Sequence, residues 1–125
     1  MLVEHVVSRN VPTARPEDDV ISAARRLLEC RCGLLPVVVE DGRGARMVGL
    51  LRSRDAFAAT YGRADETPVA AAMSPAVCTC RASDSLGLAV RLLRRSGMEA
   101  LPVLDGEGYL VGVLSFADLM REAAR

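Results

Sequence analysis

One pattern is written twice in this chain, as LLPVVVEDGRGARMVGLLRSRD at residues 34–55 and as ALPVLDGEGYLVGVLSFAD at residues 100–118. The agreement extends toward the N-terminus. When residues 13–38 are shifted onto residues 79–104, nine of the twenty-six pairs are identical, whereas chance would give about two at ordinary residue frequencies. Such an internal repeat indicates two copies of one unit, each too short to bury its own core. We therefore expect the copies to pack on each other, with a pseudo-twofold cleft between them as the first candidate for a functional site.

Each copy begins with the same helix signal. A short extended segment ends at Thr13 or Thr79, and polar residues typical of a helix start follow it. Apolar residues then recur at spacings of three and four, which predicts one buried stripe along a helix. The predicted stripe comprises Val20, Ala23, Ala24, Leu27 and Leu28 in the first copy and Leu86, Ala89, Val90 and Leu93 in the second.

The second part of each copy reads as a hairpin followed by a helix. Short runs rich in β-branched residues predict buried strands, and the proline in each run suits a strand's first residue or an edge strand. Glycine-containing turns lead to a second strand, and a second helix closes each copy. The predicted strands are residues 35–39, 47–51, 101–104 and 109–114, and the closing helices are residues 53–60 and 116–123.

These elements define the expected fold class and domain organisation. The chain has 125 residues, which is the size of one domain. We expect a mixed α/β (α+β) protein made of two pseudo-twofold-related β-α-β-β-α repeats packed through their sheets. The repeats span residues 1–60 and 68–125, and a polar linker at residues 61–67 joins them into one module.

Composition argues against several functional classes. Sixteen acidic residues balance sixteen arginines, and only four residues are aromatic, so neither a basic footprint nor a stacking platform for nucleic acid is expected. The apolar runs are too short to cross a bilayer, and the N-terminus lacks a basic start followed by an apolar stretch. We therefore expect a cytoplasmic protein that binds neither nucleic acid nor membrane. Because the chain has no lysine, arginine or backbone amides would hold any phosphate.

Short motifs in this chain follow the order found in a known family. GMEALPV at residues 97–103 is similar to the family motif G-h-x-x-L-P-V, and LVGVLSFAD at residues 110–118 is similar to h-h-G-h-h-[ST]-x-x-D. AMSP at residues 72–75 resembles the lead-in that commonly opens a copy, and VVS at residues 6–8 is a weaker version. With these motifs, the chain resembles a tandem CBS domain pair, also called a Bateman module.

The resemblance implies a regulatory role without enzymatic activity or a required cofactor. CBS pairs bind adenosine-containing ligands in the cleft between copies, among them AMP, ADP, ATP, S-adenosylmethionine and sometimes NAD or dinucleotides. They also form homodimers, in which four CBS units make a flat disc. A ligand would shift the equilibrium between conformations. Since the chain resembles a free-standing pair, an unknown protein partner would have to read that shift.

The resemblance also assigns roles to residues of the second copy. Asp118 would accept hydrogen bonds from the ribose hydroxyls, and Ser115 would contact the α-phosphate at the start of a helix. Thr79 and the backbone around Met98 and Ala100 would line the adenine pocket. Ser115 and Asp118 are also spaced as a capping box, which satisfies free amides at a helix start. Both roles remain open from the sequence, and one does not exclude the other.

The first copy departs from the family motif at one position. Asp55 and Thr13 match the second copy, but Arg52 stands in the position of Ser115. The site is then either empty, or it binds a more highly phosphorylated ligand through Arg52 and Arg54. A third interpretation is that both arginines are solvated or paired with nearby acids.

Two positions favour a different class of function. Arg52 weakens the phosphate motif, and Arg31 stands where the second copy has Gly97, a glycine expected to let backbone come close to another group. The main alternative is therefore a structural module for dimerisation and protein interaction that binds no nucleotide.

The four cysteines form two C-x-C pairs, Cys30 with Cys32 and Cys78 with Cys80. Four thiolates can close a tetrahedral zinc site, or they can form disulfides, although a cytoplasmic compartment disfavours stable ones. Because both members of such a pair point to one face of an extended segment, shared burial is the simplest explanation. No metal site is expected, and a cysteine-based zinc or redox sensor is the third alternative.

Overall fold

The computed structural model describes residues 1–30, 33–61, 67–75 and 78–125. The chain divides into two compact units. Unit 1 contains Met1–Val11 and Val77–Arg125, and unit 2 contains Pro12–Ala76. Residues 62–66 of the predicted linker lie outside the described residues.

Unit 2 is a two-stranded antiparallel hairpin covered by helices. Its elements are α1 (Val20–Cys30), β1 (Leu34–Glu40), β2 (Ala45–Arg52), α2 (Ser53–Thr60) and the short α3 (Val69–Ala72). β1 pairs with β2, and Ala14 adds a single parallel bridge on the other side of β1. The core of the unit comprises Ala14, Val20, Ala23, Leu27, Leu35, Val37, Leu51, Ala56 and Val69.

Unit 1 repeats this plan with a three-stranded sheet in the order β3-β4-β5. Its elements are a 3-10 helix (Val3–His5), β3 (Cys80–Arg81), α4 (Leu86–Ser96), β4 (Ala100–Leu104), β5 (Leu110–Ser115) and α5 (Phe116–Ala123). β3 runs parallel to β4, and β4 runs antiparallel to β5. The core comprises Val3, Cys80, Ala89, Leu93, Leu101, Val103 and Leu114. None of the described helices of either unit is long and apolar enough to cross a bilayer.

The predicted mixed α/β class and the order of hairpins and helices are confirmed. Both closing helices have the predicted bounds, and the strands differ by one or two residues at their ends. The prediction for Leu28 is wrong, because this side chain is 78% exposed. The buried face of α1 follows Val20, Ala23 and Leu27, and Leu28 lies roughly 100° farther around the helix. The extended segment of the second copy also starts later than predicted, at Cys80 instead of ending at Thr79.

Pro36 fits one of its two predicted positions, since β1 is an edge strand of its sheet, but it is not the first residue of that strand. It is the third residue of β1 and is buried, with β2 on one side and the Ala14 bridge on the other. The carbonyl of Pro36 accepts a hydrogen bond from Ala14 N at 3.0 Å, so the proline nitrogen faces the same side of the strand. On that side β1 makes only an isolated bridge, and a missing N–H therefore removes no ladder hydrogen bond.

The lead-in segment of each copy pairs with the sheet of the other copy. Ser74 precedes the second copy in sequence, but it exchanges two backbone hydrogen bonds with Leu50 of β2, at 2.8 and 2.9 Å. Ser8 does the same with Val113 of β5, at 2.9 and 3.1 Å. Each compact unit is therefore built from one sequence copy and the lead-in of the other.

The glycine of the repeated V-G motif makes room for these lead-ins. A Cβ atom on Gly112 would lie 2.2 Å from the carbonyl oxygen of Ser8, and one on Gly49 would lie 2.6 Å from Sδ of Met73. The glycine in both copies is thus explained by close approach of a neighbouring chain segment.

Candidate functional site

Ser115 and Asp118 form a capping box at the start of α5. Ser115 Oγ accepts a hydrogen bond from Asp118 N at 3.2 Å, and Asp118 Oδ2 accepts one from Ser115 N at 2.9 Å. The Ser115 hydroxyl also donates to the same Oδ2 at 3.0 Å. The capping role, one of the two that the sequence left open, is therefore present.

Asp118 makes two further interactions, through its other carboxylate oxygen. Ser8 Oγ donates to Oδ1 at 2.6 Å, and the guanidinium of Arg121 forms an ion pair with the same oxygen. Asp118 is only 4% exposed and is the buried charged residue among those described. Since both oxygens already accept hydrogen bonds, a ribose could bind Asp118 only by replacing one of these donors.

The sheet of unit 1 brings two of the predicted site residues to one end. Ala100 pairs directly with Ser115 across β4 and β5, and Glu99 O accepts a hydrogen bond from Phe116 N at 3.2 Å. Thr79 lies just before β3, whose first residue, Cys80, pairs with Val103 near the far end of β4. The end of the sheet where β4 begins therefore carries Ala100 and Ser115, beside the start of α5, whereas Thr79 lies farther along the sheet.

Met98 lies on the connection that leads into β4. Its backbone N–H donates to Ser96 Oγ at 3.1 Å, and its side chain is half-buried against the core of unit 1. The backbone around Met98 is therefore held locally, next to the sheet end described above.

In unit 2, Asp55 occupies the position equivalent to Asp118, but its surroundings differ. Asp55 Oδ2 accepts hydrogen bonds from Arg52 N at 3.1 Å and from Arg52 Nε at 3.2 Å. Arg52 is thus paired with a nearby acid, as the third interpretation of the sequence held, and Arg54 is exposed. Among the described residues no donor reaches Oδ1 of Asp55.

Thr13 and Asp18 are joined by an arginine that the sequence did not single out. Arg26 Nη1 donates to Thr13 O and to Asp18 Oδ2, both at 2.9 Å. A hydrogen bond from Arg15 N, together with Arg26, lowers the pKa of Asp18 below its usual value. Asp84 receives the equivalent backbone hydrogen bond in unit 1, at 2.8 Å, so the repeated aspartate is explained by its turn. Arg26 carried no repeat signal because the second copy has leucine in its place.

Gly97 is required for a reason other than the expected close approach. It caps the end of α4 with φ of 70°, in the left-handed region, and a Cβ there would meet nothing within 4 Å. The glycine is needed for backbone conformation, as at many helix ends. Arg31, with which it was compared, lies outside the described residues.

The cysteines of the second pair share a core. Cys80 is buried and Cys78 half-buried, and both lie in the hydrophobic cluster of unit 1. Burial is the main cause that raises the pKa of Cys80 from 9.0 to about 11, so its thiol stays protonated at neutral pH. Cys32 of the first pair lies outside the described residues. Within the described residues, no group of three or more His, Cys, Asp or Glu side chains is arranged to hold a metal ion.

Comparison with solved structures identifies proteins of the same architecture. The CBS-pair protein CBSX2 from Arabidopsis thaliana superimposes with a TM-score of 0.84 at 26% identity, over 98% of this chain and 94% of that one. A structure of CBSX2 in complex with AMP gives a TM-score of 0.83 at 26% identity, over 98% of this chain and 96% of that one.

Curated proteins and a family model give the same result. A homoserine O-acetyltransferase of Methanocorpusculum labreanum is 30% identical over 92% of this chain and 23% of its own length. An inosine-5'-monophosphate dehydrogenase of Mycobacterium tuberculosis is 32% identical over 87% of this chain and 20% of its own. The chain thus spans about a quarter or less of these relatives. The model of the CBS domain matches residues 3–62 and 69–125, and the chain belongs to the CBS domain family.

Proposed function

We propose that this chain is a regulatory module that binds an adenosine-containing nucleotide, with AMP, ADP, ATP and S-adenosylmethionine as the candidates. Ligand binding would shift its conformation, and a separate protein in the cytoplasm would respond. The observation that carries the proposal is the likeness, over nearly the whole of both chains, to a CBS pair whose structure contains AMP. The chain itself would not be a catalyst, because the enzymes it resembles share only a fifth to a quarter of their length with it.

The start of α5 offers the chemistry that such a ligand needs. Phe116 N donates to Glu99 O and Asp118 N to Ser115 Oγ, which leaves the exposed Ala117 amide without a partner in the described part of the chain. A free amide at a helix N-terminus attracts phosphate through its N–H and the helix dipole. Asp118 then supplies the acceptor for ribose, provided that one of its present donors leaves.

We further propose that the chain forms the homodimer that the resemblance implies. Phe57 on α2 and Tyr61 directly after that helix, and Phe116 and Met120 on α5, are large apolar or aromatic side chains that are exposed in the single chain. The rings of Phe57 and Tyr61 lie 5.5 Å apart, and Phe116 and Met120, four residues apart, share one face of α5, so each pair forms an exposed stripe. Burial of such stripes against a second copy would remove them from water.

One observation favours the alternative of a module that binds no nucleotide. Asp118 is buried with both oxygens engaged, and Asp55 caps its own helix while paired with Arg52. The hydrogen bonds of both carboxylates within the protein are thus sufficient to explain why an aspartate stands at each position, without a ligand.

Thermal unfolding with and without ligand separates the two functions. AMP, ADP, ATP, S-adenosylmethionine and NAD would be added to nucleotide-free protein, using wild type, Asp118→Asn and, as the matched control, Asp105→Asn in the β4–β5 turn. A ligand at a hundred times its Kd stabilises the folded state by about 2.7 kcal/mol, which raises Tm by on the order of 10 °C. We expect this rise in wild type and Asp105→Asn, and its loss in a folded Asp118→Asn. A folded wild-type protein whose Tm responds to none of the five would overturn the nucleotide-binding function and favour the ligand-free module.

A further inference from the structure

Arg121 lies one turn after Asp118 on α5 and occupies its carboxylate. Its guanidinium pairs with Oδ1, which also accepts from Ser8 Oγ, while Oδ2 accepts from the amide and hydroxyl of Ser115. Four donors therefore fill the two oxygens, which is about the capacity of a carboxylate. Any incoming hydroxyl has to replace one of them.

The four donors differ in how easily they can leave. Ser115 belongs to the helix cap, and Ser8 is held by the two backbone hydrogen bonds of its lead-in to Val113. The Arg121 side chain is 69% exposed, whereas that of Asp118 is 3% exposed. Arg121 is thus the one donor that can move into water without disturbing the packing of unit 1.

The first copy has no counterpart of this contact. Ala58 stands at the position equivalent to Arg121, and Ser74, the counterpart of Ser8, donates to Leu50 O at 3.4 Å instead of to the aspartate. The Asp55 side chain is 18% exposed, with Oδ1 free of donors from the described residues. The two equivalent aspartates therefore differ in what they offer a ligand: Asp55 has an oxygen without a donor from the described residues, whereas both oxygens of Asp118 are occupied.

We propose that Arg121 is a selectivity residue: it competes with the ribose hydroxyls for the Asp118 carboxylate, and so favours the binding of phosphorylated adenosine over that of the bare nucleoside. This inference rests on the proposed nucleotide-binding function. Adenosine must break the Arg121 ion pair and offers no anion in return. A nucleotide breaks the same pair, but its phosphate gives the released guanidinium a new partner.

Calorimetric titration with adenosine and with AMP tests this role. The titrations would use the Asp55→Asn background, which removes the first-copy carboxylate, and would add Arg121→Gln or Arg121→Lys. The matched control is Arg125→Gln, which removes the same charge from an exposed arginine that follows the same helix and pairs with Glu122. We expect Arg121→Gln to raise the affinity for adenosine about tenfold, because adenosine then no longer has to break a hydrogen bond to a charged group. The affinity for AMP should rise by less, because AMP also loses the contact between its phosphate and Arg121. Arg121→Lys should lie between, and Arg125→Gln should change neither affinity.

The possible results separate this inference from the proposed function. Equal affinities in Arg121→Gln and its parent, with AMP still bound, would overturn the role of Arg121 and leave the nucleotide-binding function standing. A loss of affinity for both ligands would make Arg121 a direct contact, which also overturns the inference. Absence of adenosine and AMP binding in every variant and in wild type would overturn the role of Arg121, whereas the proposed function is overturned only if ADP, ATP, S-adenosylmethionine and NAD also leave Tm unchanged.

Discussion

Replacement of Gly112 by alanine should release the lead-in from unit 1. The added Cβ would lie 2.2 Å from the backbone oxygen of Ser8, a residue that exchanges two backbone hydrogen bonds with Val113. Gly49→Ala is the matched control in unit 2, because its nearest neighbour is the thioether of Met73, a flexible side chain that can rotate away. The two substitutions are chemically identical and differ only in what the new methyl group meets.

The expected cost follows from the contacts around Ser8. Two backbone hydrogen bonds contribute about 1 kcal/mol each, and the bond from Ser8 Oγ to the charged Asp118 contributes about 2 kcal/mol. Complete detachment would thus cost about 4 kcal/mol, and partial relaxation around the methyl group about 1–3 kcal/mol. We expect Gly112→Ala to lower the free energy of unfolding by about 2–4 kcal/mol, and Gly49→Ala by about 1 kcal/mol.

Urea unfolding followed by circular dichroism measures both free energies. Amide hydrogen exchange adds a local readout, because the Ser8 and Val113 amides should lose protection in Gly112→Ala before the rest of β5 does. If Gly112→Ala has the stability of wild type within about 0.5 kcal/mol, the explanation of the motif glycine by the lead-in is refuted.

Two other predictions concern the core and the exposed helices. Cys80→Val should make the stability of the protein less sensitive to alkali. The pKa of the Cys80 thiol is about 11 in the folded protein and about 9 in the unfolded chain, so the unfolded state loses its proton first as the pH rises. The free energy of unfolding of wild type should therefore fall by about 2 kcal/mol relative to the variant by about pH 10.5. Parallel stability curves for the two proteins between pH 8 and pH 10.5, measured by urea unfolding, would contradict this. If the proposed homodimer forms through the exposed stripes, the double variant Phe57→Glu/Met120→Glu should sediment as a monomer, since it places charge in both of them. Leu28→Glu, at an exposed leucine of α1, should then sediment as wild type does. A double variant that keeps the mass of the wild-type dimer would exclude these stripes from the interface.

Much of the fold could be predicted because the sequence contains an internal repeat, so that each element is indicated by two independent segments. Hydrophobic periodicity and turn glycines gave the helices α2 and α5 with their observed bounds and the strands within one or two residues. The exchange of lead-ins could not be predicted, because the repeat shows that Ser8 and Ser74 are equivalent but not which sheet each one joins. The position of Pro36 inside β1 depends in the same way on a bridge that only the tertiary structure forms.

The site was predicted in its local part only. The capping box of Ser115 and Asp118 and the pairing of Arg52 follow from spacings of three residues along a helix, which sequence reasoning can see. Arg121 has the same spacing from Asp118, so its ion pair could also have been predicted from the sequence. Ser8 lies 110 residues from Asp118, and no local pattern could connect the two.

The exchanged lead-ins also set an order of events during synthesis. Val3 is fully buried in unit 1, and Ser8 hydrogen-bonds to a residue 110 positions later, so this lead-in is complete in its contacts only after those 110 residues have been synthesised. At 5–20 residues per second this delay is on the order of ten seconds. During this time the apolar side chains of Met1–Val11 lack their partners in unit 1, whereas the contacts within Pro12–Ala76 can already form. Unit 2 should therefore fold first on the ribosome, and unit 1, with its high contact order, should be the slow step and the part most in need of a chaperone.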